Sequence, residues 1–285
     1  MHIHKLIFYF LLLITPLLAQ NHTKEPPIIV PIKWLKNHYT DKDLVIIDVR
    51  DRKLFQKGHL KHAINMPVFE DLFDKNYMIP KLNKLTELFR NAGITDKSII
   101  VVYGGKTPIW AARFYWISEV LGHNKVGLLK RGYGNWKEGA LPISTTTYKP
   151  KKSHFIPKVD NSKIETELST YMSIGKKTII DGRPKGFYKG EKSHAKRFGH
   201  IPTAKNYPGS ANYNVTAKGS NLHDFATLKK LYKNLPKDKK VILYCEDGAD
   251  AALNFLILQE LGYKASVYDG SWLEWGNNPQ LPIEK

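Results

Sequence analysis

The chain has 285 residues, 42% of them apolar and 12% aromatic, which is enough for two packed domains and excludes wholesale disorder. Its formal charge of +18 is spread over residues such as Lys81, Lys84, Lys151, Lys152, Lys229, Lys230 and Lys233. Without a basic arm or motif, this argues for a solvated basic surface and no nucleic-acid partner. A single cysteine, Cys245, excludes an internal disulfide, so the fold must stand on its core.

In chain order, Met1–Lys5 is a short basic start, and Leu6–Ala19 is an apolar run of fourteen residues. That run is shorter than the roughly 20 residues of a membrane span, and polar Asn21, His22 and Lys24 follow at once. The pattern predicts a signal peptide over residues 1–20, cut near Ala19–Gln20. The expectation is an exported chain, periplasmic or secreted, with no stable membrane anchor after cleavage.

The remainder is a repeat. L-V-I-I-D-V-R (Leu44–Arg50) and G-H-L-K-H-A-I-N-M-P (Gly58–Pro67) return as T-I-I-D-G-R (Thr178–Arg183) and G-H-I-P-T-A-K-N-Y-P (Gly199–Pro208). Both Gly58/Gly199 and Tyr103/Tyr244 lie 141 residues apart, and the copies close on Gly132 with Trp136 and Gly270 with Trp275. The predicted domains are 21–148 and 149–285, joined by the polar stretch Ser144–His154. Val45–Val49, Ile99–Tyr103 and Val126–Leu129 are buried strands by composition, as are Lys177–Ile180, Val241–Tyr244 and Ala265–Tyr268 in the second copy. Pro80–Ala92, Pro108–Leu121, Phe225–Leu235 and Asp250–Leu261 carry helical spacing. Alternation of strand and helix at this spacing predicts, in each domain, a parallel sheet with helices on both faces.

The two copies differ where chemistry is expected. Position 104 is Gly and position 245 is Cys, so only the second copy carries a thiol at the carboxyl end of a central strand. The loop that follows is Glu246, Asp247, Gly248, Ala249 and Asp250, ahead of a helix for which Asp250 is a suitable N-cap. Gly248 gives the loop its backbone freedom. Loop amides and a helix N-terminus both favour thiolate, and such thiols have pKa values of roughly 3.5–7.5.

From Pro31 to about Pro282 the chain resembles the tandem-domain rhodaneses, the thiosulfate and 3-mercaptopyruvate sulfurtransferases. The carrying motifs are the Gly104/Cys245 asymmetry, V-Y-D-G-S-W-L-E-W (Val267–Trp275), D-G-R (Asp181–Arg183) and G-H-I (Gly199–Ile201). The resemblance implies an inactive first domain and a catalytic second one. It further implies a Cys245 persulfide, loaded by a small sulfur donor and unloaded by a thiol or cyanide acceptor, with no metal or organic cofactor.

Two departures bear on the donor. Glu246 and Asp247 stand where thiosulfate enzymes carry basic residues and mercaptopyruvate enzymes small neutral ones. A carboxylate about 4 Å from the sulfur costs the thiolate roughly 1 kcal/mol in water and about 4 kcal/mol at an effective dielectric of 20. Phe187 stands where the family places a substrate-anchoring Arg, leaving Arg183 and Lys189 as donor-binding candidates, with Lys185, Lys192 and Arg197 as alternatives to Lys189. Arg50 and Arg183 occupy matching places in both copies, as do His59 and His200, which favours structural roles for all four. Trp272 and Trp275 read as packing residues. A Cys-x5-Arg phosphatase or arsenate reductase would need Arg at position 251, which is Ala. A non-catalytic sulfur-carrier or binding module remains the alternative function. The sequence leaves oligomeric state open.

Overall fold

The computed structural model describes residues 25–135 and 141–285. The predicted signal peptide and Trp136 lie outside the described residues. Two five-stranded parallel sheets form the frame. In the first, the order is Ile29–Val30, Val126–Leu129, Ile99–Tyr103, Leu44–Asp48, Ile64–Asn65. The second repeats it as Ile164–Glu165, Ala265–Tyr268, Val241–Tyr244, Thr178–Asp181, Lys205–Asn206. The central strands are covered on both faces: Ile100, Val101 and Val102 are fully buried, as are Ile242, Leu243 and Tyr244. Burying each such side chain contributes about 1.5–3 kcal/mol, which is why continuous apolar runs settle in the middle of a helix-flanked parallel sheet.

Helix edges depart from the spacing in ways the structure explains. The helix expected from Pro80 begins at Leu82, because Lys81 is extended at φ −54°, ψ 143°. The helix from Phe225 ends at Leu231 and not Leu235. Tyr232, leaving it at φ −100°, turns inward, where its hydroxyl donates to the side-chain oxygens of Asn212 and Asn254. Ile143–Ser144 pairs antiparallel with His59–Leu60, so the expected linker begins inside the first repeat.

The helices after the two central strands, Ile109–Val120 and Ala249–Glu260, are buried nearly all round. Each lies between its own sheet and the other repeat, and they pack on one another through the Tyr115 and Phe255 rings at 6.4 Å. The Tyr115 hydroxyl also donates to Gln259 Oε1 at 2.7 Å. A helix sandwiched in this way keeps no solvent stripe, which is why its apolar residues do not segregate to one face. The two repeats therefore share one continuous core. Among the described residues, no helix is long and apolar enough to cross a membrane.

Candidate active site

Strand Val241–Tyr244 delivers Cys245 to the carboxyl edge of the second sheet. The short helix Ser271–Trp275 pins that point. Cys245 N–H donates to Ser271 Oγ at 3.1 Å, and the amides of Trp272 and Leu273 donate to the carbonyls of Cys245 and Glu246, each at 3.0 Å. Ser271 itself sits at φ +51°, an uncommon conformation for a residue with a side chain, held by its hydroxyl bond to the Tyr268 carbonyl. Trp272 and Trp275 are fully buried, in keeping with packing roles.

Gly248 makes the turn. At φ +84° it occupies the left-handed region, and its amide donates to Cys245 Sγ at 3.2 Å. It also caps the helix, which begins at Ala249. The expectation that Asp250 is the N-cap is thus corrected: Asp250 lies in the first turn, because the loop is shorter than the sequence count allowed. Asp247 folds back under the loop, its Oδ1 accepting from Ala249 N–H at 3.1 Å and standing 3.8 Å from Sγ.

The expectation that loop amides and the helix N-terminus hold the sulfur as thiolate is also corrected. Cys245 is fully buried, and burial pushes its thiol well above the ordinary cysteine value. The Asp247 and Asp250 carboxylates raise it further, while the Ala251 and Asp247 amides pull the other way. The cradle exists, but burial and two carboxylates outweigh its dipoles. Asp250 is in turn pushed up to about 7, first by burial and then by Asp247 and Asp181.

Arg183 is mostly spent on structure. Its guanidinium grips Asp181 at 2.6 Å and donates to the Gly199 carbonyl at 2.7 Å, and Arg50 does the same with Asp48 and Gly58 in the first repeat. His59 and His200 likewise hold carbonyls, those of Phe55 and Tyr188. What sets Arg183 apart is its buried Nη1, which has no hydrogen-bond partner and faces Glu246 Oε2 at 3.7 Å. Glu246 Oε2 is buried and unbonded too, while Oε1 accepts from His194 N–H at 3.3 Å. A cation that could receive a donor's negative group is therefore already faced by the protein's own carboxylate. Lys189 is exposed, and among the described residues no hydrogen bond or ion pair joins it to the cysteine loop.

Two further residues reach the loop unannounced by sequence spacing. Arg113, on the Ile109–Val120 helix of the first repeat, is fully buried and pairs with Asp269 Oδ1 at 2.5 Å. A Cβ at Gly248 would lie 2.6 Å from its Nη1. Asp269 Oδ2 takes the Ile79 amide, again from the first repeat. The signal for Arg113 is its own oddity, a permanent charge within I-W-A-A-R-F-Y-W; its partner 156 residues away has none.

Fold and site together define a duplicated α/β protein with a single loop-cradled thiol. The rhodanese-like domain model matches residues 31–139 and again 165–278. The chain belongs to the rhodanese family of sulfurtransferases. It is 29% identical to the sulfur carrier protein TtuD of Thermus thermophilus, over 91% of this chain and 97% of that one. It is equally 29% identical to the thiosulfate sulfurtransferase of Corynebacterium glutamicum, over 94% of each. Among solved structures, the 3-mercaptopyruvate sulfotransferase SseA of Escherichia coli superposes with a TM-score of 0.75 at 25% identity, covering 86% of this chain and 98% of that one.

Proposed function

We propose that the protein moves sulfane sulfur from a small donor, such as thiosulfate, 3-mercaptopyruvate or a polysulfide, to a thiol or cyanide acceptor through a persulfide on Cys245. The observation that carries this is the Gly248 amide 3.2 Å from Sγ, in the only repeat that has a thiol. In the first half-reaction the Cys245 sulfur attacks the donor's outer sulfur. A new S–S bond forms, the donor's bond to that sulfur breaks, and the electron pair leaves with the donor remnant. The thiol proton passes to the Asp250 carboxylate, whose raised basicity suits it to accept at neutral pH. In the second half-reaction the acceptor attacks the outer sulfur, the S–S bond breaks, and the pair returns to Cys245. No metal or organic cofactor takes part.

Because the sulfur is covered, turnover includes an opening step of the cysteine loop. Glu246 sets donor preference: a dianion such as thiosulfate must displace or neutralise it, and a less charged donor need not. The test is mass spectrometry after exposure to each donor, seeking one added sulfur on Cys245, with thiocyanate release as the turnover readout. Cys245→Ala abolishes both. If none of the three donors gives cysteine-dependent turnover, the catalytic reading fails.

The covered thiol favours one other reading, that the loaded sulfur is carried to a partner protein without free turnover. The name of the Thermus relative is in keeping with it. In that case the donor loads one sulfur per chain, and cyanide releases no thiocyanate beyond that amount.

A further inference from the structure

In the first repeat, the place that corresponds to the cysteine site is open and has a different chemistry. A cavity of 440 Å³ is lined there by the Gly104 loop and by apolar side chains. Its walls are Val49, Leu54, Val68, Phe69 and Trp110. Apart from Leu54, which answers to Phe187, the corresponding residues in the second repeat are smaller or polar. Val68 and Phe69, which follow Pro67, answer to Gly209 and Ser210 after Pro208. Trp110 and Asp250 are each the second residue of the helix, and Lys106 stands two past Gly104 as Asp247 stands two past Cys245. Loss of the thiol thus goes together with an aromatic wall and a reversed charge at the mouth.

The wall is exposed to an extent that calls for an occupant. Phe69 is 58% exposed and Leu54 50% exposed, and the Phe69 ring stands edge-on to Trp110 at 4.8 Å. Exposed apolar groups gathered around a cavity mark a binding site. The polar groups decide what kind of ligand fits. Asp51 is engaged in capping its helix through Lys53 N–H, and Glu70 is paired with Arg52 at 2.6 Å. Arg50 is taken up by Asp48 and the Gly58 carbonyl. The Lys106 ammonium and the amides of Gly105, Lys106 and Thr107 meet no acceptor among the described residues and are free to receive an anionic group. Apolar walls with free donors in the same lining suit an apolar body carrying one anionic head.

We propose that this thiol-less site binds small aryl-alkanoate carboxylates, with the ring against Trp110 and the carboxylate at Lys106 and the neighbouring amides. Binding is independent of Cys245. The test is calorimetric titration of phenylacetate into the purified protein, with neutral phenylacetamide as the matched control and Trp110 fluorescence as a second readout. Phenylacetate binds saturably, with phenylacetamide and the Lys106→Gln variant each weaker by about fivefold. Leu54→Glu, at the exposed mouth, abolishes binding while an unchanged thermal transition reports an intact fold. Cys245→Ala binds as the parent does, and Lys106→Gln keeps the parent rate of sulfur transfer. The proposal is overturned if phenylacetate fails to saturate up to about 10 mM. It is equally overturned if the amide binds as well as the acid, if Leu54→Glu leaves binding intact, or if Cys245→Ala removes it.

Discussion

Replacing Asp247 by Asn tests the electrostatics of the thiol with little change in shape. The amide oxygen of Asn can still accept the Ala249 N–H that Asp247 now accepts at 3.1 Å, so the loop keeps its turn. What disappears is a negative charge 3.8 Å from Sγ. A unit charge at that distance is worth about 4 kcal/mol at an effective dielectric of 20 and about 1 kcal/mol in bulk water. At roughly 1.4 kcal/mol per pH unit, the thiol's titration midpoint falls by about one to three pH units. Burial, the largest cause of the raised value, stays in place. The assay is the ultraviolet absorbance of the thiolate followed against pH, with Cys245→Ala subtracted as the blank. A second consequence comes with it: Asp250, also raised by Asp247, titrates at lower pH in the variant. A midpoint for Cys245 that stays put or rises would refute the claim that the acidic loop holds the sulfur protonated.

Other perturbations have equally definite outcomes. Glu246→Gln removes the carboxylate facing Arg183 Nη1, so KM for thiosulfate falls, and the double change Glu246→Arg with Asp247→Lys raises thiosulfate turnover further; steady-state kinetics read both. Asp250 has a folded pKa near 7, so its stabilising contribution is complete below the unfolded value of about 3.9 and is lost as pH rises through 7. Asp250→Asn therefore gains about 2 to 3 kcal/mol relative to the parent between pH 5 and pH 8, read from urea unfolding at the two pH values. Arg113→Met strands Asp269 as a buried, uncompensated anion and destabilises by about 3–5 kcal/mol, and adding Asp269→Asn recovers part of that loss in the same assay.

The sheets were legible because each strand is a short apolar run whose position is fixed by its neighbours: Ile99–Tyr103, Val126–Leu129, Val241–Tyr244 and Ala265–Tyr268 fall on the residues that composition indicates. Helix ends were less so, since they depend on single events such as the inward turn of Tyr232. Of the site, the loop and its thiol could be found from the Gly104/Cys245 asymmetry, and so could the paired roles of Arg50 and Arg183. The protonation state could not. It depends on how completely the loop is covered, and on whether Asp247 points at the sulfur or away. Sequence distance hides such facts: His194 meets Glu246 across 52 residues, and Arg113 meets Asp269 across 156.

The contact of Arg113 with the cysteine loop gives the thiol-less repeat a part in the chemistry of the other one. Gly248 must hold a left-handed turn for its amide to face Sγ, and the space beside its Cα is closed by a guanidinium from the first repeat. That guanidinium is fixed by Asp269, two residues before the strained Ser271 that receives the Cys245 amide. The loop is thus gripped from both sides, by Ser271 through its own domain and by Arg113 across the interface. The first repeat carries Gly104 in place of the cysteine, and its helix is the wall against which the Cys245 loop is shaped. Separation of the repeats therefore disturbs the geometry at Cys245 even if each half folds, because Arg113 and Asp269 would each enter water alone and Gly248 would lose the surface that sets its turn.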